Sequence, residues 1–588
     1  MRLLERYMRT DFDNLEDFYK NYKLYVPDDF NYAIDVMDQM ALLAPDQRAM
    51  IWVNEHGEEH IFTFADFKNM SDRAVTILRN AGIRKGDTVL LMLKRRYEFW
   101  VLALALMKLG CVHIPATHQL QKKDIAYRIK ASGAKMVICA GDAEVIGHTD
   151  KAVEEIDWPV TKMCVAAYEI DQTARHEIDP ASQCEKPAHF ELGADWLDYD
   201  KLFVEAEPDF DGKVPNTNDD MMLIYFTSGT TGMPKMVAHN YAYPLGQAAT
   251  GAFWHNLTDQ SVHISVADSG WAKCAWGKFY GQWLAGAVNF VYDFDRFNAC
   301  NMLSMLEKYH VTSFCAPPTI YRFFIKEDLK QYDLSSLKWA CIAGEPLNPE
   351  VYWQFYSATG VKLHEAFGQS ETTPLLMTPK WMEPRPGSMG KPSPQYKVQL
   401  LRPDGTPVIA GEEGEICVDI REGRPAGLFT GYYKDEENTA EAFRDGFYHT
   451  GDVAWYDEQG YYWFVGRADD VIKSSGYRIG PFEVESALLE HPSVLECAVT
   501  GVPHPVRGQV VKATIVLARS YKPSEQLKKE LQEHVKRVTA PYKYPRIIEF
   551  VDELPKTSSG KIQRKKIRAE DAADYNAQQN AAPSEPSK

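Results

Sequence analysis

The strongest constraint in this 588-residue chain is an alternation of strand-length apolar runs with helix-length segments. Val89–Leu93 reads as a buried strand, Tyr97–Leu109 as a buried helix and Cys111–Pro115 as the next strand. A strand, a helix and a second strand in that order demand a parallel pair with a right-handed crossover. Lys135–Cys139, Met222–Phe226, Val262–Val266, Val288–Tyr292 and Trp339–Ile342 continue the pattern. The expected architecture is therefore a large α/β domain with parallel sheets.

Near Val398 the texture changes. Lys397–Leu401 and Gly414–Val418 are short strands broken by Gly, Pro and Asp turns, which predicts a β-barrel region. After Arg467 a small α+β unit is expected: helices Pro481–Glu490 and Ser524–Val538, strands Glu496–Val502 and Val511–Val516. The expected boundaries are 1–468 for the large domain, 469–569 for the small one and 570–588 for a disordered tail rich in Ala, Asn, Gln, Pro and Ser.

A net charge of −17 argues against non-specific binding to nucleic acid or anionic membranes. No run of 18 apolar residues is present, so no membrane span is expected. Ten scattered cysteines without a CxxC pair read as reduced thiols rather than disulfides or zinc ligands. Asp11, Asp13 and Glu16 fit a transit peptide poorly, so a cytoplasmic location is expected.

Thr227-Ser-Gly-Thr-Thr-Gly-Met-Pro-Lys235 follows a predicted strand. Its small residues, Thr227, Ser228, Gly229, Thr230, Thr231 and Gly232, offer hydroxyls and close backbone approach to phosphate oxygens. Lys235 adds a point charge. Composition alone leaves a surface turn open.

The order of residues in this segment resembles the phosphate-binding motif of the adenylate-forming superfamily, and further motifs follow in that family's order. Gly344-Glu345-Pro346 resembles the segment lining adenine. Glu365-Ala366-Phe367-Gly368-Gln369-Ser370-Glu371 resembles the aromatic-Gly-x-Thr-Glu motif, with Ser in place of the commoner Thr. The resemblance implies that Phe367 covers adenine, Ser370 meets the α-phosphate and Glu371 ligates Mg²⁺, a cation that takes oxygen donors. It further implies Asp452 on the ribose, Arg467 on the nucleotide, Asp469 as a hinge, Arg478 in the nucleotide set and Lys561 as the adenylating lysine. ATP, Mg²⁺ and coenzyme A are the implied cofactors and co-substrates. For CoA the candidates are Ser475, Gly476, Tyr477, Arg507, Tyr544 and Arg546; a basic solvated rim is an equal reading of Arg507 alone.

Asp268–Lys278 resembles the medium-chain group of acyl-CoA synthetases, which implies an acyl pocket lined by Trp271, Lys273, Cys274, Trp276 and Gly368. Core packing is the alternative for the two Trp residues. Gly368, where acetate-specific relatives carry Trp, is expected to leave room for a longer acid. The implied reaction is ATP-dependent acyl-CoA synthesis through an acyl adenylate, with a homo-oligomer left open. Its rivals are an aromatic-acid CoA ligase, an enzyme loading a carrier protein, and a non-catalytic nucleotide or acyl sensor.

Overall fold

The computed structural model describes residues 3–165, 192–227, 233–345, 347–475, 477–556 and 562–581. The sequence's β-α-β unit forms as read. Strand Thr88–Met92 pairs in parallel with Val112–Pro115 and with Met136–Ala140. The intervening helix Glu98–Lys108 is buried along its whole length. Lys108 within it is satisfied by Asp38 at 2.7 Å, Asp72 at 2.6 Å and the Ser71 hydroxyl at 2.9 Å. A buried ammonium is tolerated only with such partners.

These strands belong to an eight-stranded sheet that continues through Met221–Thr227 and its antiparallel partner Lys235–Asn240. A second sheet begins with parallel strands, among them Val262–Ser265, Ser313–Ala316, Trp339–Ala343 and Leu363–Phe367. Aromatic side chains fill the space around both sheets; Trp52, Trp100, Trp254 and Trp283 are fully buried.

The expected barrel is corrected. Strand Ser388–Pro392 pairs with Leu376–Met377 on one side and Tyr462–Arg467 on the other. Phe447–Tyr456, Gly414–Asp419 and Val398–Leu401 then follow as antiparallel neighbours. The short strands thus prolong the second sheet to thirteen strands, and among the described residues they do not close on themselves.

The chain leaves this sheet after Arg467 and enters a separate five-stranded sheet at Ile472. Helices Pro481–Leu489 and Glu525–Val538 pack Val484, Leu488, Leu531 and Val535 onto it. The expectation of disorder from residue 570 is also corrected for 570–581, where helix Arg564–Ala581 continues. Its Asp571 is buried, ion-paired with Lys512 and accepting from the Thr500 hydroxyl at 3.3 Å. Low hydrophobicity hid this helix from composition; a buried ion pair ties it to the sheet. Among the described residues no helix is long and apolar enough to cross a membrane.

Candidate active site

The predicted motifs lie on interior strands of the two large sheets and the turns that follow them: Thr227, Ala343 and Phe367 each end a strand. Thr227 and Lys235 face each other across an antiparallel pair. Ser228, Gly229, Thr230, Thr231 and Gly232 between them lie outside the described residues, as do Pro346, Gly476 and Lys561. The Lys235 ammonium donates to Asn438 Oδ1 at 2.7 Å and sits 4.6 Å above the Tyr432 ring. The Tyr432 hydroxyl in turn donates to Glu371 Oε1 at 3.0 Å. One tyrosine therefore joins the phosphate lysine to the expected metal ligand.

Glu371 is held from behind, its carbonyl accepting from Phe429 N–H at 2.8 Å. Burial pushes its carboxyl above the usual range, opposed by a backbone bond, Tyr432, Arg467 and Lys235. A carboxylate oxygen is the hard donor that Mg²⁺ takes, so Glu371 fits the role of a ligand to it. Beside it, His239 Nε2 donates to the Ser370 carbonyl at 2.8 Å. Burial lowers the His239 pKa to about 4, so it stays neutral and serves as a strut.

Asp452 lies on strand Phe447–Tyr456, directly opposite Arg467 on Tyr462–Arg467. The guanidinium stands 3.8 Å from Asp452 and 3.7 Å from Asp469. Burial works against the Arg467 charge, but Asp452, Asp469 and Glu371 together raise its pKa. Gln369 bridges the motifs: its amide donates to Asp452 and to the Thr450 carbonyl, and it accepts from the Tyr448 hydroxyl. Arg467 Nε, Glu365 Oε2, His239 Nδ1 and Trp276 Nε1 are buried at the site without a hydrogen-bond partner among the described residues. A polar ligand would satisfy such atoms. Burial also keeps the Glu365 carboxyl well above its usual pKa. Ala366 is buried in the strand, and the Phe367 ring lies 6.1 Å from that of Phe464.

In the segment expected to line adenine, Gly344 takes φ +98°, a conformation that favours glycine. Lys273, expected in the acyl pocket, donates to the Ala343 carbonyl beside it. Glu345 accepts from the Thr319 hydroxyl at 2.9 Å.

Of the residues expected to line an acyl pocket, Lys273, Cys274 and Trp276 sit on helix Ala272–Lys278, with Trp271 as its N-cap. Cys274 and Trp276 are buried, and burial pushes the Cys274 thiol up to about 12, so it stays a neutral thiol. The expected vacancy at Gly368 is corrected. A Cβ there would meet Trp276 Cη2 at 2.6 Å and the Thr373 carbonyl at 2.6 Å. Trp276 already occupies the space that glycine frees. The ring is brought from another element, so the local motif could not reveal this contact.

The described CoA candidates lie on the small domain in separate contacts. Ser475, at φ +52°, donates its N–H to the Arg507 carbonyl at 2.9 Å, and Arg507 Nη1 donates back to Ser475 Oγ at 3.2 Å. The Tyr477 ring stacks on Tyr542 at 4.1 Å. The guanidinium of Arg546 lies 4.7 Å from the Tyr544 ring and donates to its hydroxyl. Arg478 is not brought to the Asp452 cluster; it faces Glu413 at 3.6 Å across the domain junction. Tyr432, Asn438, Tyr448 and His239 escaped the sequence reading because each acts from outside the motifs it supports.

Residues 38–433 match the AMP-binding enzyme family, and residues 483–561 match the AMP-binding enzyme C-terminal domain. The chain is 41% identical over 581 residues to mouse acyl-coenzyme A synthetase ACSM3, mitochondrial, covering 97% of this chain and 96% of that protein. It is 43% identical to human ACSM5, mitochondrial, over 555 residues, covering 93% and 91%. Among solved structures, an anthranilate CoA ligase with bound anthranoyl-AMP aligns with TM-score 0.82 at 26% identity, covering 94% of this chain and 99% of that one. A Brucella canis acyl-CoA synthetase aligns at 0.68 with 30% identity, covering 96% and 100%. The expected cytoplasmic location is overturned by these curated relatives, which are mitochondrial. The acidic residues that argued for it belong to the folded enzyme: Phe12 and Phe18 beside them are buried in the main core.

Proposed function

Because the chain belongs to the AMP-binding enzyme family, and resembles acyl-CoA synthetases along nearly all its length, we propose that it is an ATP-dependent acid–CoA ligase acting on medium-chain or branched carboxylic acids. By this reading the acid displaces pyrophosphate from ATP to give an acyl adenylate, and the CoA thiol then displaces AMP. The observation that carries it is the joining of Lys235, Glu371, Asp452 and Arg467 through Tyr432 and Gln369.

Each residue then has a task derived from its surroundings. Asp452 accepts the ribose hydroxyls, exchanging the Gln369 amide for them. Lys235 and Arg467 neutralise phosphate charge from two sides, fixed in advance by their partners. Glu371 would hold Mg²⁺, which supplies a further positive charge to the phosphates. Lys561 would neutralise the charge that develops on adenylation. The proposed division at 468/469, with Asp469 as hinge, is supported by the passage of the chain between sheets at that point. Ser475, Tyr477, Arg507, Tyr544 and Arg546 suit the phosphates and adenine of CoA. A mitochondrial setting accords with the relatives.

A second reading, an aromatic-acid CoA ligase, is favoured by one observation: Trp276 against Gly368 makes a narrow wall suited to a flat ring. Measuring CoA-dependent AMP release across straight, branched and aromatic acids tests both. The first reading expects the highest kcat/KM for aliphatic acids of medium length. Preference for aromatic acids would replace it with the second, and absence of AMP with every acid would sink both.

A further inference from the structure

A cluster of three side chains of metal-ligating type lies on the Asp452 strand and its neighbour, apart from the residues assigned above. Glu415 and Cys417 sit two residues apart on strand Gly414–Asp419. His449 is opposite Cys417 on the neighbouring strand Phe447–Tyr456. His449 Nδ1 faces both, 3.0 Å from Glu415 Oε2 and 3.4 Å from Cys417 Sγ. One ligand atom from each residue lies within 4.8 Å of the other two. Donors at about 2.0–2.3 Å from a tetrahedral zinc ion stand about 3.3–3.8 Å apart, so small shifts of these side chains would enclose one.

The position of the cluster matters. The two steps from Glu415 to Cys417 are matched by four from His449 to Val453. The surplus residues form a bulge made of Thr450, Gly451 and Asp452. Bulges re-aim side chains, and this one presents the Asp452 carboxylate. Glu415 grips it, its Oε1 accepting from Gly451 N–H at 2.9 Å while Oε2 faces His449.

We propose that Glu415, Cys417 and His449 form a site for a soft divalent cation of the zinc class, which clamps the bulge carrying Asp452. The cation would bind Glu415 Oε2, Cys417 Sγ and His449 Nδ1, with water or another small ligand completing the shell. The thiol proton leaves to solvent, and the proton that His449 Nδ1 donates to Glu415 in the metal-free protein moves to Nε2, which frees Nδ1 to ligate. Glu415 Oε1 stays on Gly451. Arg444, 3.5 Å from Glu415 Oε2, gives up that contact and retains Glu441 at 3.0 Å. Sulfur and nitrogen donors reject Mg²⁺, so this site is chemically distinct from Glu371.

Titration of the full chain with cadmium alone reads the sulfur-to-metal charge-transfer absorbance, and zinc alone reads thermal stability. The expected result is a band and a rise in Tm for the parent protein, with affinity falling on the order of 10-fold or more in Cys417→Ser and His449→Gln, as ligand losses do. Hydrogen exchange of residues 449–453 should slow with zinc in the parent only. Superimposable titrations of parent and both variants would overturn the site. Cation binding through Cys417 with unchanged exchange across 449–453 would overturn the clamp. The two variants have different shapes, so misfolding of one leaves the other as the test, and neither readout depends on the acid the enzyme uses.

Discussion

Gly368 illustrates how one residue can mislead when its neighbour is unseen. The missing side chain suggested space, but Trp276 fills it. Gly368→Ala should therefore overpack the site, costing about 1–3 kcal/mol, visible as a lowered Tm together with reduced kcat/KM. Trp276→Ala should do the reverse for substrate range. Each methylene newly admitted contributes about 0.8 kcal/mol, or roughly fourfold in kcat/KM, so the ratio for long over short acids should climb along a homologous series. A flat ratio would remove Trp276 from the pocket.

Glu371 carries a pH signature at the same scale. Its folded-state pKa is raised, chiefly by burial. The sign is therefore that of a group whose neutral form the fold prefers: its contribution to stability is present at low pH and is lost as pH rises through the folded value. Activity runs the other way, because holding Mg²⁺ needs the carboxylate. kcat/KM for ATP should fall on an acid limb lying above the ordinary glutamate value, and higher Mg²⁺ should move that limb to lower pH by favouring the charged form. Glu371→Gln should abolish the limb along with most activity; an unchanged limb would assign it to another group.

Among elements, the helix that begins at Arg564 was hidden by its composition. Arg564 donates to both oxygens of Glu485, at 2.8 Å and 2.7 Å, and Glu485 is buried on helix Pro481–Leu489 while also accepting from Val499 N–H. Arg564→Ala would strand that carboxylate. Breaking a buried pair from one side costs about 3–5 kcal/mol, so the small domain should melt earlier, measurable by denaturant unfolding monitored in residues 472–556. Arg564→Ala combined with Glu485→Gln should recover part of the loss. The same element pins the junction: Arg568 contacts Asp470 and lies 3.9 Å from Asp469.

At the scale of the whole molecule, two domains share one reaction. Asn348 of the large domain donates to the Ser486 carbonyl at 3.3 Å, and Arg478 meets Glu413. Val471 also packs with Val453 and Val465 at the junction; the polar contacts are the kind that a reorienting domain can exchange. If the small domain presents Lys561 for adenylation and the Ser475–Arg507 pair for thioester formation, Lys561→Ala should abolish AMP formation from acid and ATP. Thioester formation from supplied acyl adenylate and CoA should survive in that variant. Equal loss of both steps would remove the two-orientation mechanism.

The sequence by itself determined the α/β alternation, the parallel strands and the order of the nucleotide motifs. Each of these is local: strand-length apolar runs, helix-length segments, and small or charged residues at fixed spacing. Tertiary structure decided what depends on surfaces meeting. It merged the short strands into one large sheet instead of a barrel, because Ser388–Pro392 has partners on both sides. It filled the space at Gly368 with Trp276 and drew Asp571 into a buried ion pair. It also placed Tyr432, Gln369 and Tyr448 as the links among Lys235, Glu371 and Asp452. Those links join residues distant in sequence, and only the packed sheets bring them within hydrogen-bonding distance.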